Sequence, residues 1–255
     1  MALPIHVAAV QYSSEKLNRV GNQDKAFHLM DDAAHIADLV VLPEASFTCG
    51  WMGAQAHEVA EPLYGSTCAV TLQIAVTRNS HICYNIAELD GDRIYNTAVL
   101  IGAGGSVIGK QRKVRLSEAD VDAGFSPGDS VTVFETHLGR IGILVSQDAE
   151  DIESVRALHR GGAQLIIVPC VAFAALPEAR EGVARSWETV LGSVAKNGRC
   201  HALWADKIGG EGDLIAVGSS MVLDPEGNIV VRGSADQEEI VRAGITLGAG
   251  GSPAI

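Results

Sequence analysis

Residues 140–169 read RIGILVSQDAEDIESVRALHRGGAQLIIVP, and this stretch decides the class of the fold. It starts with a strand-like run from Arg140 to Val145 and ends with a second apolar run from Gln164 to Val168. Between the two runs, Asp151 to Arg160 has the pattern of a helix. A strand, a helix and a buried strand in succession are typical of α/β layering. The stretch therefore predicts an α/β protein.

The rest of the chain continues this alternation of strands and helices. Ile5 to Val10 and Leu39 to Leu42 predict buried strands, with a helix from Asn22 to Ala37 between them. Three closely spaced strands are expected within residues 82–113, because their connections have good hairpin chemistry. Later segments predict a helix over 179–197 and strands over 215–223 and 229–245. No linker or repeat divides the chain, so we predict one domain over residues 1–255, with a loosely held Gly-rich tail over 247–255.

Composition and charge exclude several classes of partner. The chain has 255 residues, of which 47% are hydrophobic, and a formal net charge of −12. It can bury a sizeable core, but it has no basic stripe for nucleic acid or an anionic membrane. No apolar run reaches the roughly 18 residues of a membrane span, and Met1 to Pro4 does not resemble a signal peptide. Five cysteines without CxxC spacing indicate reduced thiols, so we predict a cytoplasmic protein with no nucleic-acid or membrane partner.

The sequence gives little indication of a phosphate-binding loop or a metal-binding site. Residues 104–110 match G-x-x-x-x-G-K, but Gln111 stands where Ser or Thr should follow, and the segment has the pattern of a strand. The eight histidines are scattered without metal-binding spacing. We therefore expect no metal and no organic cofactor.

Glu44 and Lys113 are the first candidate catalytic residues. Glu44 ends an apolar strand, a position that suits a general base, although a lone Glu after Pro is most often a solvated loop acid. Lys113 closes the run G-K-Q-R-K and could stabilise an oxyanion beside a carboxylate, although basic residues are also common on edge strands. Each residue alone is a weak signal.

Ser146 is the third candidate. It follows a strand and precedes a helix, where nucleophiles recur, but the G-x-S-x-G elbow is absent. It could instead be the N-cap of the next helix or a plain turn serine.

Taken together, these segments resemble the carbon–nitrogen hydrolase, or nitrilase, superfamily across nearly the whole chain. The similar segments are L-P-E (42–44), Y-N-T-A (95–98), G-K-Q-R-K (109–113), F-S-P-G-D (125–129), the strand 140–145, the helix and strand within 155–169, and G-S-S (218–220) with D-P-E-G (224–227).

The resemblance implies an α/β fold that is a four-layer α-β-β-α sandwich of two mixed sheets. It implies a site of the Glu–Lys–Cys type, with Glu44 as general base, Lys113 as the oxyanion-stabilising cation and Ser146 in the place of the nucleophilic cysteine. The family's second glutamate has no clear counterpart. Asp122 is the nearest acid, with Glu118 and Asp120 as lesser candidates. Members usually dimerise, so we expect a homodimer or a larger homo-oligomer.

The resemblance also implies a pocket for a small-molecule amide. By family placement, its walls include Trp51, Gln147, Cys170, Val171 and Phe173. These residues are mostly apolar, which favours a small neutral amide over a carbamoyl amino acid. Gln147-Asp148 differs from the Trp-Glu that generally follows the nucleophile of nitrile-cleaving members, so a nitrile is disfavoured.

The departures from the family pattern leave three alternatives. A hydroxyl is a weaker acid than a thiol by several pKa units, so we expect Ser146 to leave little or no turnover. The chain could be an amidase whose cysteine was replaced deliberately, or a naturally divergent member that binds small molecules or assembles without catalysis. It could also use Ser146 as a working nucleophile in an altered site. Changes at Gln147, Glu150 and Lys196 favour natural divergence.

Overall fold

A computed structural model describes residues 4–15, 18–48 and 55–247. The first half of the chain forms one sheet and the helices that cover it. Its elements are β1 (Ile5–Gln11), α1 (Arg19–Ile36), β2 (Leu39–Val41), α2 (Gln55–Val59), α3 (Ser66–Arg78), β3 (His81–Asp90), β4 (Arg93–Gly102), β5 (Ser106–Arg112) and α4 (Glu118–Asp122). The predicted strands and long helices of this half are confirmed to within a few residues.

The second half forms a second sheet, its covering helices and a small extra sheet. Its elements are β6 (Val133–Thr136), β7 (Gly139–Ile143), a 3₁₀ turn (Ser146–Glu150), α5 (Ile152–Arg160), β8 (Leu165–Pro169), β9 (Phe173–Ala174), a 3₁₀ turn (Pro177–Ala179), α6 (Arg180–Gly198), β10 (His201–Ala205), β11 (Ile208–Glu211), β12 (Leu214–Val217), β13 (Met221–Leu223), β14 (Ile229–Arg232) and β15 (Glu239–Ile245).

Both large sheets are mixed. The first has the strand order β15-β1-β2-β3-β4-β5, in which β1, β2 and β3 are parallel and the other pairs are antiparallel. The second has the order β14-β13-β10-β8-β7-β6, in which β7, β8 and β10 are parallel. The parallel strands are buried over most of their length, as expected where both faces of a sheet are covered.

The helices and the two large sheets form four layers, with an apolar cluster packed between each neighbouring pair. One cluster lies between the sheets and includes Val41, Leu100, Ile143 and Leu203. A second packs α1 and α3 on the outer face of the first sheet, and a third packs α5 and α6 on the outer face of the second. The predicted α-β-β-α sandwich of two mixed sheets is confirmed.

Two details of the sheets differ from the prediction. The strand expected over 215–223 is broken at Gly218 and Ser219, which have φ values of 63° and 62°. A side chain at position 218 would meet the Ala235 carbonyl oxygen at 2.6 Å, so only glycine fits there. As a result β12 leaves the large sheet and joins β11 and β9 in a third, three-stranded sheet. Likewise, the segment 229–245 divides between the two large sheets.

The strand directions bring several loops to one edge of the sandwich. β2 and β5 end at this edge in the first sheet, and β7, β8 and β10 end there in the second. Sites of α/β proteins lie beyond the carboxyl ends of strands. Leu247, at the start of the predicted loose tail, is buried between the sheets, and 248–255 lie outside the described residues. Within the described ranges, no helix is long and apolar enough to cross a membrane.

Candidate active site

Glu44 lies just beyond β2 and is buried, with 2% of its surface exposed. Its Oε1 accepts hydrogen bonds from Lys113 Nζ at 2.9 Å and from Asn96 Nδ2 at 2.6 Å. Its Oε2 accepts one from the backbone N–H of Val171 at 3.2 Å. Glu44 is therefore a held, desolvated carboxylate and not a solvated loop acid.

Lys113 follows β5 and is buried between two carboxylates. Its Nζ lies 2.9 Å from Glu44 Oε1 and 2.7 Å from Asp120 Oδ2. Burial pushes the pKa of Lys113 down, but the two negative charges outweigh it and hold the pKa above its usual value. The side chain stays an ammonium ion in a dry site, where a cation can stabilise a developing oxyanion.

Asp120, and not Asp122, is the acid beside Lys113. Asp120 is the third residue of the short helix α4, where Ser117 caps the helix and donates its hydroxyl to Asp120 Oδ2 at 2.7 Å. Asp122 is exposed, because two helical residues turn a side chain by about 200°. Asp122, which the sequence favoured as the second acid, therefore does not lie beside Lys113. The capping pair Ser117-x-x-Asp120 could have indicated that Asp120 turns inward.

The charge state of Asp120 follows from its neighbours. Burial raises the pKa of Asp120, but the Lys113 charge and the hydrogen bonds from Lys113 and Ser117 bring it below its usual value. Asp120 is therefore a carboxylate that compensates Lys113 together with Glu44.

Asn96 and Asn85 are site residues that the sequence did not single out. Asn96 Nδ2 donates to Glu44 and to Asp120 Oδ1 at 3.1 Å, so one amide joins both acids. Asn96 Oδ1 accepts from Asn85 Nδ2 at 2.9 Å, and Asn85 Oδ1 accepts from the N–H of Ala45 at 2.7 Å. The two asparagine side chains therefore hold both the carboxylate of Glu44 and the backbone of the next residue, Ala45. The Y-N-T-A run was the signal for Asn96.

Ser146 begins the 3₁₀ turn after β7 and is fully buried. Its φ of 50° is in the left-handed region, which is uncommon for a residue with a side chain and recurs at functional sites. Its Oγ lies 3.3 Å from Cys170 Sγ. Ser146 does not cap the following helix, because Asp151 does. Ser146 is therefore a buried hydroxyl in a left-handed turn beside a thiol.

Asp148 ties the Ser146 turn to the segment after Lys113. Its carboxylate accepts from the N–H groups of Val114 at 3.1 Å, Arg115 at 2.7 Å and Val145 at 3.3 Å. Burial raises the pKa of Asp148 to about 6, against these hydrogen bonds, which lower it.

The predicted substrate contacts lie at different distances from this cluster. Cys170 follows β8 and is buried against Ser146, and Val171 binds Glu44 through its backbone. Gln147 is half-buried, and its Oε1 has no hydrogen-bond partner in the described part of the chain. Phe173 is half-buried in β9 of the third sheet. Trp51 lies outside the described residues.

Asp206 and Lys207, directly after β10, are further residues that the sequence did not indicate. Asp206 is fully buried, and its Oδ1 accepts from the N–H of Ala172 at 2.9 Å. Burial raises the pKa of Asp206 well above its usual value, and Glu44 adds to the effect. Lys207 Nζ donates to the carbonyl oxygens of Ala45, at 2.6 Å, and Thr48. The two charged residues directly after a buried strand could have indicated their place at the site.

The cluster is suited to acyl transfer. It joins a carboxylate that can move a proton, an ammonium ion for an oxyanion, and a hydroxyl in a strained turn. Among the described residues, no group of three or more His, Cys, Asp or Glu is arranged to hold a metal ion.

Comparisons with known proteins agree with this chemistry. The model of the family described as carbon–nitrogen hydrolase matches residues 6–252. An (R)-stereoselective amidase from a Pseudomonas species is 28% identical over 232 residues, covering 91% of this chain and 81% of the relative. A nitrilase from Pyrococcus abyssi is 31% identical over 249 residues, covering 95% and 90%.

One solved structure is similar to this chain in both fold and sequence. It is that of an amidase from a Nesterenkonia species, with a TM-score of 0.79 and 26% identity, covering 95% of this chain and 90% of that one. One variant of the Nesterenkonia amidase carries the acetamide moiety of fluoroacetamide covalently added at its active site cysteine, and others are in complex with acrylamide or butyramide. With the family model spanning nearly its whole length, the present chain belongs to the carbon–nitrogen hydrolase family.

Proposed function

We propose that this protein is an amidase-type hydrolase by architecture, which binds a small neutral amide at the Glu44–Lys113 site. The observation that carries the proposal is the buried ammonium of Lys113 between the carboxylates of Glu44 and Asp120. A buried ion pair of this kind is often no more stabilising than apolar side chains of the same volume, but its cation is well placed to hold the oxygen of an amide as it becomes negative. The amide complexes of the Nesterenkonia amidase support this class of ligand.

In the proposed reaction, Glu44 takes a proton from the nucleophile, which attacks the amide carbon. Lys113 stabilises the oxyanion, and Glu44 then returns the proton to the departing amine. Water activated by Glu44 releases the acyl group. Asp120 and Asn96 act on this sequence through Glu44 and Lys113, because they hold both side chains in place. No cofactor takes part in the proposed steps.

Ser146 makes this route slow. A carboxylate can draw a proton from a thiol far more readily than from a hydroxyl, and no described hydrogen bond brings a histidine to Ser146 as a stronger base. We therefore propose that turnover through Ser146 is abolished or strongly impaired. We further propose that the substrate is contacted by Gln147, Cys170, Val171, Phe173 and Trp51. We also propose that each chain is a single domain and that the protein is a cytoplasmic homodimer or larger homo-oligomer.

A second function is a non-catalytic one, in which the protein binds a small molecule or serves in assembly. The orphaned Oε1 of Gln147, next to a hydroxyl in the nucleophile position, favours this alternative. A site without catalysis needs ligand hydrogen bonds but no strong nucleophile.

Binding and turnover measurements separate these functions. Calorimetric titration with propionamide and butyramide should show binding by the natural chain, and ammonia release should rise by roughly 100-fold or more in Ser146→Cys, about 2.7 kcal/mol of barrier. Ser146→Ala is the matched control and should show no such rise. Binding without ammonia release by either the natural chain or Ser146→Cys would favour the non-catalytic function, and the absence of binding would reject the amide site.

A further inference from the structure

Cys170 places a sulfur atom beside the nucleophile position. It is the first residue after β8, and its Sγ lies 3.3 Å from Ser146 Oγ. Both side chains are fully buried. A ligand carbon that lies between the Ser146 hydroxyl and this sulfur would therefore be within reach of both atoms.

Cys170 is also tied to the carboxylate that would accept its proton. The N–H of Glu44 donates to the carbonyl oxygen of Cys170 at 3.2 Å, and the next N–H, that of Val171, donates to Glu44 Oε2 at 3.2 Å. The two hydrogen bonds hold the Cys170 backbone against both ends of the Glu44 residue. These backbone contacts hold Cys170 beside Glu44, and the charge of Glu44 acts on the thiol by raising its pKa.

Asp206 gives an independent sign that this corner receives a ligand. Its Oδ1 accepts from the N–H of Ala172, and the N–H of Lys207 also faces the carboxylate, but its Oδ2 is buried without a hydrogen bond of normal geometry in the described ranges. An unpartnered buried carboxyl oxygen is costly unless something binds it. A primary carboxamide carries both N–H donors and a carbonyl acceptor, so it can satisfy this oxygen in either protonation state.

Two other described cysteines, Cys83 and Cys200, lack this setting. Cys83 and Cys200 are buried, and burial alone accounts for the raised pKa of Cys83 and is the main cause of the pKa of about 12 for Cys200. The pKa of Cys170 is raised by burial and further by Asp206 and Glu44, so its thiol is protonated at rest. Its proton must leave during attack on a bound carbon, and not before.

We propose that Cys170, and not Ser146, supplies the nucleophile of this site. The inference rests on the proposed binding of a small amide. The thiol proton passes to Glu44 as the Cys170 sulfur bonds to the amide carbon and the oxygen becomes negative beside Lys113. The carbon–nitrogen bond then breaks, and Glu44 protonates the departing ammonia. Water, losing a proton to Glu44, attacks the thioester; the carbon–sulfur bond breaks and the thiol is restored, leaving a carboxylic acid.

Alkylation by an electrophilic carboxamide tests the reactivity of the sulfur. Iodoacetamide is added to the Cys49→Ser protein, so that only the four described cysteines remain, and the modified peptides are quantified by mass spectrometry. Because Glu44 is proposed to take the thiol proton during attack, we expect Cys170 to react at least about tenfold faster than Cys83 or Cys200, with protection by excess butyramide and slowing in Glu44→Gln. Labelling of Cys170 no faster than that of Cys200 would overturn the proposal.

Turnover of the variants provides the second test. Ammonia release from propionamide should fall by roughly 100-fold or more in Cys170→Ala, with butyramide binding retained, whereas Cys200→Ala should match the natural chain. Thermal unfolding of each variant verifies folding. Undiminished release in Cys170→Ala would overturn the inference but leave the amide site standing. If release is below detection in every protein, the alkylation result decides. Absence of amide binding by the natural chain would instead reject the proposed function.

Discussion

Lys113 Nζ lies 2.9 Å from Glu44 Oε1, and each side chain exposes only 2% of its surface. With Asp120 on its other side, the ammonium ion faces two buried carboxylates. The Asn96 amide joins those carboxylates to each other. The polar cluster therefore has its own internal compensation, and the removal of any one charge should be felt by the whole site.

Loss of the Lys113 charge should destabilise the protein strongly. In Lys113→Met, Glu44 and Asp120 remain buried without their cation, and we expect a loss of about 3–5 kcal/mol in the free energy of unfolding. Urea unfolding measures the loss. Lys110→Met is the control, because Lys110 is partly exposed and its partner Glu88 keeps Arg112; we expect a loss of about 1 kcal/mol or less. Equal losses in the two variants would argue against the compensating role.

Asp120 and Asp122 should behave differently. Tested in the Ser146→Cys protein, Asp120→Asn removes a charge that holds Lys113, so kcat/KM for small amides should fall by roughly 10- to 100-fold. Asp122→Asn, at an exposed position, should leave kcat/KM within about twofold. The reverse order would restore Asp122 as the second acid.

Asp148 should make stability depend on pH between about 4 and 7. Its pKa rises from 3.8 to about 6 on folding, so the folded state binds the proton more tightly than the unfolded state. The stabilisation from this group is complete below pH 4 and is lost as the pH rises through 6, in total roughly 3 kcal/mol.

Unfolding by urea at intervals from pH 4 to pH 7 measures this effect in the natural chain and in Asp148→Asn. The natural chain should lose stability relative to the variant across this window, whatever the constant offset from lost hydrogen bonds to Val114 and Val145. A difference that stays flat or grows with pH would contradict the assigned direction.

Lys207 should hold the loop that carries Glu44. Its Nζ donates to the carbonyl oxygens of Ala45 and Thr48, and Ala45 has a φ of 50°. In Lys207→Met these hydrogen bonds are lost, and we expect faster amide hydrogen exchange at Ser46 and Thr48. Lys196→Met, at an exposed position of α6, is the control. Equal exchange rates in the two variants would show that the loop is held by other contacts.

The sequence could predict the fold and part of the site because both follow from local patterns. Apolar runs locate the parallel strands, and Glu44, Lys113 and Ser146 each follow a strand end at one edge of the sandwich. Asp120 was harder to choose, because proximity in sequence to F-S-P-G-D favours Asp122. The side chain of Asp120 is turned inward by the orientation of the short helix α4, which the sequence does not specify.

Other site residues could not be predicted from pattern alone. Asn96 lies within β4, where the face that a side chain takes depends on strand register. The contact between Ser146 and Cys170 joins residues 24 apart and depends on the pairing of β7 with β8. Asp206 is a polar residue after a buried strand, and its lack of a partner for Oδ2 appears only once neighbouring loops are in place.

We propose that the residues around position 146 form an amide hydrolase site. The rate of ammonia release from propionamide by Ser146→Cys in a Cys170→Ala background tests this proposal, because position 146 is then the one thiol among the described residues of the cluster. We expect a rate at least about 100-fold above that of Cys170→Ala alone, with the gain lost in Glu44→Gln. A folded double variant that binds butyramide but releases no more ammonia than Cys170→Ala would contradict it.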